Sequence, residues 1–285
     1  MPLDLGSVGA VSAPWTREWS SDDTLLYALA LGAGPDSPEL TTENSVGLTQ
    51  RAFPTYAALI AGGSHAVRDR LGSWERTALV HAGQEITWFR ELPAAGSATL
   101  TSTVAGITDK GTGALVEIRT TAAEPATGEP LFESTTRLFI RGAGGFGRTS
   151  AAAARPGPEG PPDDVLTFRL SDSQALLYRL CGDRNPLHSD PVFARRAGFE
   201  RPILHGLCTF GITARLLMNH VLGGDPARMI SFAGRFRAPV LPGDELAVRL
   251  WHTAAGRVEF TTATSTVDTV AVDEGVLTYT EEAAA

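Results

Sequence analysis

Two short runs in the second half of the chain carry the residue types that move protons. The first is Tyr178-Arg179-Leu180-Cys181-Gly182-Asp183-Arg184-Asn185-Pro186-Leu187-His188. On an unbroken helix Asp183 and His188 would point about 140° apart. Pro186 prevents this: it pushes Asn185 out of helical geometry, so the helix ending near Gly182 gives way to a tight loop from which both side chains can converge. A carboxylate and an imidazole sharing one water can take a proton from it and return one to carbon, a service typically worth about 10²–10⁴ in rate. The second run is Pro202-Ile203-Leu204-His205-Gly206-Leu207-Cys208-Thr209-Phe210-Gly211. A glycine that opens a buried helix leaves its N–H unpaired and aimed outward, with the helix dipole behind it. The Gly206 amide suits a thioester carbonyl gaining negative charge as an enolate, a contribution of roughly 3–4 kcal/mol by analogy with measured oxyanion donors.

Each of these residues has a plainer reading. A lone His188 would be a hydrogen-bonded core histidine, and a lone Asp183 a turn residue after a helix; only together do they make a site. His205, directly before the donor glycine, is expected to orient that turn, and His65, His220 and His252 to face solvent. Gly142, Gly144 and Gly147 match G-x-G-x-x-G after a strand, but no amphipathic helix follows, so a nucleotide site is not expected there. Lys110, Arg235 and Arg237 are either surface charges or contacts for an anionic ligand. No metal-ligand spacing or nucleophile elbow is apparent.

The elements that must position these residues come in two similar sets. Tyr27, Leu29, Leu31 and Gly32 form a helix-like stretch ending at glycine, and Tyr178, Leu180, Cys181 and Gly182 repeat it. His81-Ala82-Gly83-Gln84 opens a strand, and Phe232-Ala233-Gly234-Arg235 does the same later. Alternating runs follow in each half: Thr99 to Ile107, Leu115 to Arg119 and Leu131 to Ile140, then Leu246 to Leu250, Val258 to Thr266 and Val270 to Tyr279. Gly206 to Val221 is apolar on nearly every side and must be wrapped; Thr55 to Ala61 is its shorter counterpart. A sheet curled round one helix, built twice, is an α+β arrangement. The Gly/Ala- then Pro-rich segment from Gly142 divides the chain into residues 1–141, a linker of residues 142–163 in which little can pack, and residues 164–285. The first half has no Asp/His pair, so one active site per chain follows, and its short helix is expected to leave a roomier cavity.

With 24 basic and 32 acidic residues the net charge is −8, which argues against nucleic acid or an anionic membrane as the main partner. Two cysteines, Cys181 and Cys208, in apolar stretches read as reduced core residues. The start lacks a signal-peptide pattern and no apolar run suffices to span a bilayer, so a cytoplasmic location is expected.

Taken together, the Tyr178–His188 run, Ala194-Arg195-Arg196-Ala197-Gly198-Phe199 and Pro202–Gly211 resemble the signature of the hydratase 2 family, the MaoC-like (R)-specific 2-enoyl-CoA hydratases. Phe53-Pro54-Thr55, Leu79-Val80-His81-Ala82-Gly83-Gln84, Asp109-Lys110-Gly111-Thr112-Gly113, Gly144-Gly145-Phe146-Gly147 and Arg235-Phe236-Arg237-Ala238-Pro239-Val240 extend the likeness over nearly the whole chain. The resemblance implies a double hot-dog fold, a hydro-lyase acting on an acyl-CoA thioester, and neither metal nor redox cofactor. It assigns catalysis to Asp183 and His188, loop support to Asn185 and the oxyanion amide to Gly206. It places His81, Ala82, Lys110, Arg184, Pro186, Leu187 and Phe236 along the acyl-CoA path. With that substrate, Lys110, Arg235 and Arg237 become candidates for the CoA phosphates, and the roomier first half is expected to take a medium-to-long or bulky acyl chain. Ala82 stands where the family usually has glycine, and its methyl is expected to narrow the pocket or shift a backbone contact. Edge-to-edge homodimers are common in the family, which makes a homodimer the expected assembly. An acyl-CoA thioesterase on the same fold and a non-catalytic acyl-CoA-binding subunit are the alternatives.

Overall fold

A computed structural model of the chain describes residues 3–62, 65–75, 78–147, 157–265 and 267–281, with the side chains of residues 65 and 66 outside the description. Ten strands make one antiparallel sheet: β1 (Trp15–Trp19), β2 (Leu79–Trp88), β3 (Gly96–Asp109), β4 (Gly113–Ala123), β5 (Pro130–Arg141), β6 (Asp164–Arg169), β7 (Met229–Phe236), β8 (Glu245–Ala254), β9 (Arg257–Thr264) and β10 (Thr269–Tyr279). Their order across the sheet is β1-β3-β4-β5-β2-β7-β10-β9-β8-β6. Each half therefore has the same strand arrangement, and the second strands of the halves, β2 and β7, meet in the middle. The central register pairs Gly83 with Arg235 and Gln84 with Gly234. The alignment of His81–Gln84 with Phe232–Arg235 makes Gly83 equivalent to Gly234 and Gln84 to Arg235. Exchanging the halves thus swaps these two pairs with each other, as an internal two-fold requires.

The helices are α1 (Ser21–Ala30), α2 (Pro38–Thr41), α3 (Ala57–Ile60), α4 (His65–Arg68), α5 (Gln174–Tyr178), α6 (Pro191–Arg196) and α7 (Gly206–Val221). In α7, residues on every side are buried, among them Cys208, Phe210, Ile212, Ala214 and Leu217. This is the wrapped helix that its all-round apolarity demands. Gly211 lets it approach the end of α1 closely, because a Cβ there would stand 2.6 Å from a Leu31 methyl. α3, continuing a 3-10 turn at Pro54–Tyr56, is the short counterpart in the first half. One core runs through both halves, and a smaller one (Val67, Leu71, Val104, Val116, Ile118, Leu138, Ile140) lies further along the same face of β3–β5, where Val67 and Leu71 cover the other end of the strands.

Three expectations need correction. The edge strands β1 and β6 are additional to the expected ones: each is short and pairs on one side only, and β6 turns just Leu166 and Phe168 onto the core. The space around α3 is not open: Phe53, Tyr56, Ile60, Trp88 and Phe132 fill it and are all buried. Nor is the start of the expected linker unpacked. The N–H groups of Gly145 and Gly147 donate to the buried Asp109 carboxylate (3.0 and 2.8 Å), as does Gly111 from the β3–β4 turn (2.8 Å). Gly144 lies so close to that turn that a Cβ would meet the Gly111 carbonyl at 2.3 Å. The G-x-G-x-x-G amides are thus spent on an internal carboxylate, and residues 148–156 of the expected linker lie outside the described residues.

Candidate active site

The loop from Gly182 to His188 is shaped by short-range hydrogen bonds. Gly182 leaves the α5 segment with φ +129°, a conformation that side chains rarely adopt. Asp183 Oδ1 then accepts from the Asn185 N–H (3.1 Å) and Asn185 Oδ1 from the Leu187 N–H (3.1 Å). Pro186 opens a single 3-10 turn, Pro186–His188. These successive Asx turns bring Asp183 and His188 round to one side. His188 Nδ1 lies 2.8 Å from the Ile203 carbonyl. A carbonyl only accepts, so Nδ1 carries the proton and the neutral ring presents a bare Nε2. Burial lowers the pKa of His188, against opposing contributions from Ile203 and Asp183, which keeps that nitrogen a base.

Behind this pair lies His205, the residue before α7. Its ring stacks on His188 with centroids 3.7 Å apart and planes 27° apart. Its Nε2 donates to the Asp183 backbone carbonyl (3.2 Å). Burial, then the neighbouring His188, press its pKa down to about 3. One donor atom from each of Asp183, His188 and His205 lies within 4.8 Å of the others. A cation could span that gap, but stacked rings send their lone pairs along nearly parallel planes rather than to one point. The arrangement suits a shared water better.

Gly206 is the first residue of α7, no side chain caps the helix, and its N–H makes no hydrogen bond among the described residues. It faces a cavity of about 300 Å³ whose wall includes Asp183, His188, Phe236 and, from the first half, Leu79, Val80, His81 and Arg141. His81 packs edge-on against Phe236 (5.0 Å) and donates from Nε2 to the Gly83 carbonyl (3.1 Å); burial holds its pKa down to about 4. The site thus combines a bare imidazole nitrogen, a carboxylate and an amide without a partner among the described residues, beside a largely apolar chamber between the halves.

Family models match both halves: residues 18–142 match the MFE-2 hydratase 2 N-terminal domain and residues 154–274 the MaoC-like domain. The chain is 43% identical over 288 aligned positions to 3-hydroxyacyl-thioester dehydratase Y of Mycobacterium tuberculosis, covering 98% of this chain and 99% of that one. The chain belongs to the MaoC-like hydratase 2 family. Peroxisomal enoyl-CoA hydratase 2 of Arabidopsis thaliana is 39% identical over 84% of each chain. The crystal structure of a MaoC-like dehydratase from Phytophthora capsici superposes with a TM-score of 0.89 at 30% identity, covering 99% of this chain and all of that one.

Against the family pattern, Asp183, Asn185, Leu187, His188, Gly206, His81 and Phe236 all line the cavity. The others do not. Ala82 is the extra residue of a β-bulge where the β2–β5 register slips between His81 and Gly83, so its methyl stays outside the wall. Pro186 builds the turn, and Arg184 is exposed beside it. Arg235 follows from strand alternation: with Phe236 turned inward it points to the other face, where it binds Glu274 (2.6 Å). Lys110 sits exposed on the β3–β4 turn, which docks beside the end of β5 through Gly142 N–H to Thr112 O (2.8 Å). Arg237 does reach the wall, while also pairing with Asp273 (3.1 Å). Arg141, at the end of β5, is the wall cation that sequence reasoning missed. As expected, His220 and His252 are exposed; the His65 side chain lies outside the described residues.

Proposed function

We propose that the chain is an (R)-specific enoyl-CoA hydratase, a hydro-lyase that interconverts trans-2-enoyl-CoA plus water with (3R)-3-hydroxyacyl-CoA. The observation that carries the reading is the convergence of a bare His188 Nε2 and the Asp183 carboxylate on a cavity that also receives the unpaired Gly206 N–H. In the hydration direction, Asp183 and His188 hold one water above C3, and the thioester oxygen accepts from Gly206. The water oxygen bonds to C3 as the C2–C3 π electrons move towards the carbonyl, giving an enolate whose negative oxygen the amide stabilises. One water proton passes to the pair and a proton from the pair is delivered to C2 on the same face, restoring the thioester and the initial charge. The pair acts as a unit. No step calls for a metal or redox group. The (3R) outcome is supported by family membership.

The test is hydration of crotonyl-CoA and longer trans-2-enoyl-CoAs, with the conjugated enoyl absorbance, free thiol and product chirality followed together. Loss of absorbance with (3R) product supports the reading. Thiol release with the enoyl absorbance intact would replace it with a thioesterase, and tight binding without turnover with a carrier subunit. Tolerance of medium-to-long chains remains our proposal, resting now on the apolar wall of Phe193, Phe199, Ile203, Leu207 and Val240. We also propose a cytoplasmic homodimer, which fractionation and light scattering test. Among the described residues no helix is long and apolar enough to cross a membrane.

A further inference from the structure

His205 touches every part of the proposed machinery without belonging to the Asp/His pair. It is 1% exposed. Its ring covers the face of His188, its Nε2–H holds the Asp183 carbonyl, and its own backbone leads directly into the Gly206 amide. Tyr178 closes in on it as well, with ring centroids 4.9 Å apart. The carbonyl partner fixes the proton on Nε2, leaving Nδ1 buried and without a hydrogen-bond partner. That is a costly arrangement for a residue that merely fills space.

We propose that His205 is a positioning residue, resting on the hydratase reading: its Nε2–H holds the Asp183 backbone in place, while its stacked ring shields His188 from solvent and sets its Nε2 against the Gly206 amide. The two functions separate by chemistry. The hydrogen bond fixes where the carboxylate stands, and the stack governs how dry the His188 ring is. The charged and titratable groups around the stack are Asp183 on the loop, Tyr178 on α5, Arg179 in the turn that follows it, His81 on β2, and Arg141 and Arg237 in the cavity wall. Asp183 alone favours a cationic His188 among the causes resolved for it besides the Ile203 carbonyl, and burial outweighs both. A leak of water onto the ring face therefore moves His188 towards its ordinary titration range.

Two variants divide the functions. His205→Phe keeps a flat ring on His188 and deletes the donor. Its kcat should fall roughly three- to tenfold, the worth of one net hydrogen bond, with KM little changed and the acid limb of the pH–rate profile where it is in the wild type. His205→Gln retains an Nε2–H donor but loses the stack, so its kcat should lie nearer the wild type while the acid limb rises towards about 6.5. Thermal melts give the folded fraction to which rates are normalised. A role confined to stability would lower the melting temperature of both and leave normalised kcat and the acid limb unmoved, which overturns the proposal. Imidazole nitrogen NMR of the wild type gives a reading that needs no variant to fold: an Nε2–H tautomer for His205 and Nδ1–H for His188 support it, and Nδ1–H for His205 overturns it. A wild type that does not hydrate enoyl-CoA sinks the hydratase reading and this role together; an active wild type with unaltered variants sinks this role alone.

Discussion

The Gly206 amide can be deleted almost in isolation, because it occupies a position where proline is welcome. Gly206 is the first residue of α7, and the first helical N–H has no intrahelical partner to lose. His205, before it, has φ −61° and ψ 133°, already in the extended region that a following proline imposes. Gly206→Pro therefore removes the proposed oxyanion donor while leaving the helix start intact. The added ring carbons need a control, since a Cβ at this position would stand 3.4 Å from the Phe236 ring. Gly206→Ala controls for the Cβ with the N–H kept, while the proline Cδ takes the place of the amide hydrogen itself. The ratio of the two kcat values therefore sets an upper limit on the donor's worth and should be at least about 10²–10³, or roughly 2.7–4 kcal/mol of transition-state stabilisation. Both variants should melt close to the wild type. The assay is hydration of crotonyl-CoA at saturating substrate, read by loss of enoyl absorbance. If Gly206→Pro turns over within a few-fold of Gly206→Ala, the thioester oxygen is held elsewhere and the proposed geometry is wrong.

Three further outcomes follow from the same site. Asp183→Asn and His188→Ala should each lower kcat by about 10² or more without loss of the folded far-UV spectrum, and near-normal turnover in both would remove the pair from the mechanism. Arg141→Ala should raise KM for enoyl-CoA by up to about fivefold at low salt, as expected for an exposed ion pair, with kcat unchanged and the difference shrinking as ionic strength rises; equal KM values across a salt series would show that Arg141 does not meet the CoA phosphates. In pH, burial lowers the pKa values of His188, His81 and His205. The folded protein thus binds fewer protons than the unfolded chain below about 6.5. Their contribution to stability is complete above that value and is lost as pH falls through the lowered folded values, so the melting temperature should drop on acidification. The acid limb of kcat/KM should likewise lie below about 6.5, and a limb above neutrality would contradict a dry His188.

What could be read in the chain was whatever depends on short-range constraint. Pro186 dictates the bend between Asp183 and His188 wherever that segment sits, and a run apolar on every side can only be a wrapped helix, so the loop and α7 were both legible. Arg141 was not, because nothing near it in sequence marks it. It reaches the cavity only because β5 lies antiparallel to β2, with Ile140 opposite Leu79. Arg235 is the converse case: its nearness to Phe236 drew attention to it, yet if Phe236 turns inward in a strand, its neighbour must turn outward. That alternation was available from sequence and would have excluded it.

The glycine segment after β5 shows a different limit. Composition measures how much apolar surface a stretch can bury, and on that measure Gly142 to Gly147 cannot pack. It does not measure hydrogen-bonding capacity, which glycine retains in full while letting backbones approach closely. Asp109 uses that capacity, gathering amides from the β3–β4 turn and from the chain leaving β5. These hydrogen bonds, Gly145 first, also hold its pKa down and so keep it the anion the amides require. The carboxylate occupies the kind of amide nest that would otherwise suit a phosphate. It joins the turn carrying Lys110 to the strand end carrying Arg141, so the same hydrogen bonds that close this segment to a nucleotide also tie down the strand end that supplies Arg141 to the cavity wall.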